Sequence, residues 1–364
     1  MVTMLSHIFN PLPQQIFSGE GALRSAAAAL PCRTAVLLDD GLDQKGGYAE
    51  AKSALSSACG HVFYIFLPSR EPRLSDLTRT LSLLEKAKPA CIMGIGGGSV
   101  LDTAKAAAVL FGSRAAVDDA LAAPPQTRAI QLVAVPTTAG TGSEATPNAL
   151  FIDDRSGRKS ALITPACVPD AAVLDPALTV NLPPEITACT GVDAICHLAE
   201  SLISIRAGTL SHFYSEGGLR LALTHLPACI TRPHDAAARV GMLEASLWGG
   251  AALSLAGTTA VHALAYALGR RGVPHGAANS LLFQAVMDIT LPDIRDRLPD
   301  YDAICALIAA LPLPDIRRYG LTVRDIPDLV SESLIQTRLL SNHPAAVDAD
   351  TAQAIFERVL DGRA

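Results

Sequence analysis

Aromatic residues are scarce in this chain: Phe, Trp and Tyr make up 4% of 364 residues, with a single Trp. That scarcity argues against an all-β sandwich, whose pleated faces lean on aromatic and β-branched side chains. Positive charge is not in excess either. The net charge of −6 offers no broad cationic face, so neither nucleic acid nor an anionic membrane is expected as a partner. C-x-x-C pairs are absent, and the eight cysteines (32, 59, 91, 167, 189, 196, 229 and 305) are scattered. They read as reduced, mostly buried thiols, which points to the cytoplasm. Residues 1–10 lack a basic stretch followed by an apolar one, so no signal peptide is expected. No apolar run is seen that approaches the roughly 18–20 residues needed to cross a bilayer.

What is present is Ala and Leu, within a hydrophobic content of 49%. This suits packed helices and parallel sheets covered on both faces. The length fits about two domains at roughly 100–200 residues each. In the first half, strand-like runs at 34–38, 61–67, 90–95 and 130–135 alternate with helical spacing at 74–87 and 99–110. That alternation implies βαβ units and a parallel sheet. Segments 150–153 and 159–164 flank the turn residues Asp154-Arg155-Ser156-Gly157 and predict a hairpin appended to the sheet. Beyond Pro183-Pro184 the pattern is helical throughout, punctuated near Gly208, Pro227, Pro233 and Pro274. The expected architecture is an α/β nucleotide-binding domain over 1–180 and an all-α domain over 181–364, with the change near 176–184.

Two loops at the carboxyl ends of predicted strands are rich in glycine and hydroxyl groups. Gly96-Gly97-Gly98-Ser99 joins a strand to a helix, where the backbone turns tightly and free N–H groups face an anion. Pro136-Thr137-Thr138-Ala139-Gly140-Thr141-Gly142-Ser143-Glu144 follows the next strand. Ligands of open parallel sheets bind beyond these strand ends, so the pair reads as a dinucleotide site. Asp39 ends another strand. It is either a turn residue or the acceptor of ribose hydroxyls, and in the second role it favours NAD(H) over NADP(H).

Asp193 and His197 stand four residues apart and share one helix face. His262 has the same spacing to Tyr266, and His275 follows Pro274 at a predicted helix start. One carboxylate with three imidazoles suits Fe²⁺ or Zn²⁺ rather than Mg²⁺ or Ca²⁺. Each of these histidines taken singly also fits an ordinary core position; the set is what suggests a metal. His7, His61, His212, His225, His234 and His343 lack such context and are expected to be structural.

With these motifs in place, the chain resembles the iron-containing (group III) alcohol dehydrogenases, of the dehydroquinate synthase-like fold. The resemblance rests on IFSGEGAL (16–23), GGGSVLDTAK (96–105), PTTAGTGSEAT (136–146), VLDPALTVNLPP (173–184), TGVDAICHLAES (190–201) and PHGAAN (274–279). It implies Asp193, His197, His262 and His275 as metal ligands. It also implies Asp39, Gly97, Gly98, Ser99, Thr137, Thr138, Thr141, Lys159 and Leu178 as cofactor contacts, Asn148 as a wall of the substrate pocket, and a homodimer. The chain departs from the family where a second histidine often follows His262 by one turn, since Tyr266 stands there. The interval from His262 to His275 is also one residue short of the usual. Asp193 and the Thr-rich loop set it apart from the metal-independent maleylacetate reductase branch.

The activity implied is a metal-dependent, NAD(H)-linked alcohol dehydrogenase or aldehyde reductase. Its chemistry is Lewis-acid activation of a carbonyl and hydride transfer from a nicotinamide. Tyr266 qualifies as the proton relay, as would a bound water or a ribose hydroxyl, and it equally fits a pocket-wall aromatic. The substrate is a small aldehyde or its alcohol, including ones bearing phosphonate, carboxylate or hydroxyl. Competing readings are a maleylacetate reductase-like enzyme without metal, a lyase-type cyclase, and a non-catalytic metal- or nucleotide-binding module.

Overall fold

The computed structural model describes residues 10–31, 33–44, 46–113 and 117–361. Cys32, His7 and the expected absence of a leader fall on residues outside these. Among the described residues the strands run β1 Gln15–Ser18, β2 Arg33–Asp39, β3 His61–Leu67, β4 Cys91–Gly96, β5 Gln131–Pro136, β6 Asn148–Ile152, β7 Lys159–Ile163 and β8 Ala171–Leu174. Six of them form a wholly parallel sheet in the order β1-β8-β5-β4-β2-β3. β4 is buried along its whole length and β2 from Thr34 to Leu38, as expected of strands covered by helices on both faces.

The order has a consequence for ligands. From β2 the chain moves outward to β3, whereas from β4 it moves the other way to β5. The direction therefore reverses between β2 and β4, which opens a crevice at their carboxyl ends. Register pairs Leu38 with Ile95 and Gly96 with Pro136. Asp39, Gly97 and Thr137 consequently leave the sheet on one edge.

The helix Gly98–Leu110 that follows β4 is buried nearly throughout, including Lys105. A lysine is tolerated there because its ammonium is fully occupied. Nζ donates to Ser143 O at 2.8 Å, Ser143 Oγ at 2.9 Å and Thr146 Oγ1 at 2.8 Å. Asp102, one turn away, accepts from Ser143 Oγ at 2.6 Å and from the Leu150 amide at 2.9 Å. This buried network pins the helix to the Thr-rich loop and to β6.

The hairpin β6–β7 differs from expectation. It pairs antiparallel as its own two-stranded sheet and adds no strand to the main one. The reason lies in its apolar side: Ala149, Phe151 and Leu162 join the core that also buries Ala104 and Ala107 of the Gly98–Leu110 helix. The hairpin lies against that helix, linked at one end by a bridge between Arg73 and Ile152.

From Pro184 onward the described residues are helical. The helices that matter here are Pro184–Ile203, Thr209–Thr231, Ala236–Ala256, Ala260–Gly269 and His275–Thr290. Pro227, taken above as a break, sits inside Thr209–Thr231. It removes one backbone donor without ending the helix. Pro184–Ile203 also corrects the expectation about apolar runs, because it is long and apolar enough to cross a membrane by length and composition. Its most apolar window is 83% buried within the fold, so its hydrophobicity is satisfied by packing. The seven described cysteines are all free thiols, six of them buried.

Candidate metal and cofactor site

Asp193 and His197 project from one face of Pro184–Ile203, His262 lies in the first turn of Ala260–Gly269, and His275 opens His275–Thr290. All three imidazoles turn Nε2 toward one atom, Asp193 Oδ1. The distances are 3.8 Å from His197, 3.6 Å from His262 and 3.6 Å from His275. Ligands about 2.0–2.1 Å from a tetrahedral ion lie about 3.4 Å from one another, so the spacing is close to that of a coordination shell. Asp193, His197 and His262 form the tight buried trio, while the His275 side chain is 30% exposed and closes the open side.

The tautomers follow from the partners of the other ring nitrogens. His197 Nδ1 lies 3.1 Å from the Gly140 carbonyl, and His262 Nδ1 lies against a Glu200 carboxylate oxygen. Both partners accept only, so both Nδ1 atoms carry the proton. The Nε2 lone pairs of neutral rings then face a carboxylate oxygen. That arrangement is repulsive unless a cation lies among them, so the donor set fits a divalent ion. Without one, protons provide part of the charge. Burial works against charging His262, but Glu200 and Asp193 override it and push its pKa up to about 9. Burial likewise opposes the Asp193 charge, yet the imidazoles hold the carboxyl well below its usual range. His197 and His275 are both shifted down, chiefly by burial. Asn279 completes the cluster, with Nδ2 at 2.7 Å from Asp193 Oδ1, 3.2 Å from His262 Nε2 and 3.4 Å from His275 Nε2.

The loops of the expected dinucleotide site are in place beside it. A Cβ on Gly98 would lie 2.8 Å from Thr141 Cγ2, so only glycine lets the helix start and the Thr-rich loop meet. Gly97 faces Thr138 at ordinary contact distance, and the Thr137 amide donates to Gly96 O at 3.0 Å. Gly142 has φ +58°, and a Cβ there would lie 2.5 Å from Gly250 N, so this turn is pressed against Ala236–Ala256. Ser99 is the second residue of the helix. Asp39 Oδ1 accepts from the Leu42 amide at 2.8 Å and from Ser69 Oγ at 2.7 Å. Leu178 lies in a short 3₁₀ turn, half-buried against the core that holds Val36 and Leu38 of β2.

Lys159 pairs with Glu71 at 2.8 Å, and its Nζ lies 4.7 Å from the Tyr266 ring centroid. Tyr266 in turn stands 6.1 Å from the His275 ring. These three therefore form one wall. Asn148 opens β6, half-buried, and among the described residues no hydrogen bond joins it to the histidine cluster.

Three residues in this region were missed in the sequence. Glu200 and Asn279 each had a signal. Glu200 follows Asp193 and His197 at the helical spacing 0, 4, 7, and Asn279 follows His275 by four. Ser69 lies 30 residues from Asp39 and had none. His343, assigned a structural role, is buried between Thr259 and Thr290 hydroxyls at 3.2 and 2.8 Å.

Glu144 closes the Thr-rich loop, fully buried with neither carboxyl oxygen hydrogen-bonded among the described residues. Burial pushes its pKa from 4.5 up to about 7, with Lys105 pulling the other way. The unfolded chain loses this proton first, so stability present below 4.5 is lost as pH rises to about 7. The loss is on the order of 3 kcal/mol. Glu144→Gln is expected to flatten this dependence, gaining on the parent in melting temperature at pH 8 relative to pH 5. Parallel melting curves for the two proteins at both pH values would contradict it.

Comparison with known proteins agrees with this geometry. A family described as iron-containing alcohol dehydrogenase matches residues 13–176, and its C-terminal counterpart matches residues 187–310. The chain is 35% identical over 295 residues to the probable alcohol dehydrogenase EutG of Salmonella typhimurium, covering 79% of this chain and 74% of that one. The chain belongs to the iron-containing alcohol dehydrogenase family. It is also 30% identical to the 1-propanol dehydrogenase PduQ of Citrobacter freundii, across 96% of this chain and 99% of the relative. The crystal structure of sulfoacetaldehyde reductase from Bifidobacterium kashiwanohense, a complex with NAD+, superposes with a TM-score of 0.85 at 26% identity, covering 98% and 99% of the two chains. As a member of the family the protein is an oxidoreductase of the alcohol dehydrogenase type, with the dehydroquinate synthase-like fold.

Proposed function

We propose that this protein is a metal-dependent, NAD(H)-linked alcohol dehydrogenase that reduces a small aldehyde or oxidises its alcohol. The observation that carries the reading is the convergence of three imidazole Nε2 atoms on the buried Asp193 Oδ1, beside a glycine-cradled helix N-terminus. Asp193, His197, His262 and His275 hold Fe²⁺ or Zn²⁺. Bound there, the ion supplies Lewis acidity toward a carbonyl oxygen.

The chain's own residues do the rest. Gly97, Gly98 and Ser99 present free amides to the pyrophosphate, with Thr137, Thr138 and Thr141 as the opposing wall. Asp39 takes the adenosine ribose, and Lys159 and Leu178 contact the remainder of the cofactor. Tyr266 and Asn148 line the substrate pocket, and Tyr266, one turn from His262, is placed to pass a proton outward. The names of the relatives point to substrates of two or three carbons, a propanol and sulfoacetaldehyde. A wall holding the Lys159 ammonium also suits an aldehyde carrying a phosphonate, carboxylate or hydroxyl. We assign two domains, 1–180 and 181–364, in a cytoplasmic homodimer.

The test is metal content by mass spectrometry on protein purified without oxygen, paired with NADH consumption across an aldehyde panel before and after chelation. About one equivalent of ion per chain is expected, with activity lost on chelation and restored by the ion. Metal-free protein with undiminished turnover would move the assignment to the metal-independent branch.

A further inference from the structure

We propose that Glu200 is the positioning residue of the metal centre, fixing the His262 ring so that its Nε2 lone pair is aimed at the ion. The proposal rests on the metal reading above. Glu200 is fully buried, and its Oε1 is held by a ring of donors from one segment. The Thr259 amide donates at 2.9 Å, the Thr259 hydroxyl at 2.6 Å and the Val261 amide at 2.9 Å. These bonds consume one oxygen entirely, leaving Oε2 for His262 Nδ1.

The support continues outward. Thr259 gives its hydroxyl proton to Glu200, so its oxygen accepts from His343 Nδ1 at 3.2 Å. On its other side, His343 Nε2 lies 2.8 Å from Thr290 Oγ1, whose hydroxyl also lies 2.7 Å from the Val286 carbonyl. The carboxylate is thus braced from behind by Thr259, which is itself packed against the buried His343. A carboxylate cannot donate, so it forces the His262 proton onto Nδ1 and leaves Nε2 bare. Acceptor partners of this kind orient metal-bound imidazoles and raise their basicity. His197 obtains the same from the Gly140 carbonyl, a neutral acceptor. Glu200 alone adds a negative charge behind the ring.

Glu200→Gln separates this role from that of a helix cap. Its amide oxygen can still accept from Thr259 and Val261, which turns the amide nitrogen to His262. The nitrogen donates, so the ring proton is driven to Nε2 and the lone pair is lost to the ion. The zinc dissociation constant, measured by chelator competition on the full-length protein, is expected to weaken roughly 10- to 100-fold. The visible spectrum of the Co²⁺-loaded protein is expected to shift with it.

Thr259→Ala is the control, since it loosens the cap but leaves Oε2 on His262. It is expected to lower the metal-free melting temperature and to keep zinc affinity within about threefold of wild type. Glu200→Gln binding zinc like wild type, or Thr259→Ala weakening it as much as Glu200→Gln does, overturns the proposal. Should Glu200→Gln fail to fold, the zinc-loaded wild type decides. Its His262 Nδ1 proton is expected far downfield and slow to exchange, and exchange as fast as at a surface histidine overturns the proposal. A wild type that binds no zinc at all would instead bring down the metal reading itself.

Discussion

Replacing Asp193 by alanine is expected to empty the metal site and to lower kcat/KM roughly a thousandfold or more. Asp193 Oδ1 is the shared partner of three imidazoles and of Asn279, so its loss removes the atom about which the cluster is organised. It also removes the charge. Glu200, the nearest other carboxylate in the cluster, has both oxygens committed to Thr259, Val261 and His262. Three neutral imidazoles would remain to hold a divalent cation in a buried pocket, where the missing anion is felt most. About 4 kcal/mol of lost transition-state stabilisation corresponds to that thousandfold. The check is metal content and steady-state kinetics on the same preparation. A variant keeping a tenth of the activity or a full complement of metal rules Asp193 out as a ligand.

The second large effect concerns the choice of cofactor. Asp39→Gly is expected to lower the preference for NADH over NADPH by about two orders of magnitude, measured as the ratio of the two kcat/KM values. Oδ1 is already tied to the Leu42 amide and Ser69 Oγ, while Oδ2 has no protein donor among the described residues. Oδ2 is thus the acceptor left for ribose hydroxyls. A hydrogen bond to a charged group contributes about 1.5–3 kcal/mol, or roughly a ten- to hundredfold change for NADH. Removing the anion also relieves its repulsion of a 2′-phosphate, which moves NADPH in the opposite direction. An unchanged ratio would mean that Asp39 only holds the turn at Gly41–Leu42 and that the adenosine lies elsewhere.

Much of this could be read from the sequence, for reasons visible in particular segments. His61–Leu67 and Leu74–Ala87 were delimited correctly because both carry a strong local pattern, a β-rich run closed by Pro68 and a helical repeat of leucines. β1 and β8 escaped notice. Each has four residues; β1 is a mostly exposed edge strand and β8 is buried on both faces, so neither alternates. The hairpin was found but misplaced, because sequence reveals which side of a strand is apolar and not which core receives it. The four expected metal residues do converge, since two share a helix face and the others sit in the first turns of their helices. Their supports were harder to see. Ser69 and His343 reach their partners only through tertiary contact, whereas Glu200 had a periodic signal that could have been read.

The Thr-rich loop has one more consequence. Its Gly140 carbonyl holds His197, its Thr138 and Thr141 face Gly97 and Gly98 at the start of Gly98–Leu110, and Gly142 is wedged against the backbone of Ala236–Ala256. The same nine-residue loop therefore touches both the proposed ligands of the ion and the proposed dinucleotide site. Any shift that one ligand imposes on this loop changes the free energy of binding the other. Thermodynamic linkage requires the effect to be mutual: whatever factor cofactor adds to metal affinity, metal must add to cofactor affinity.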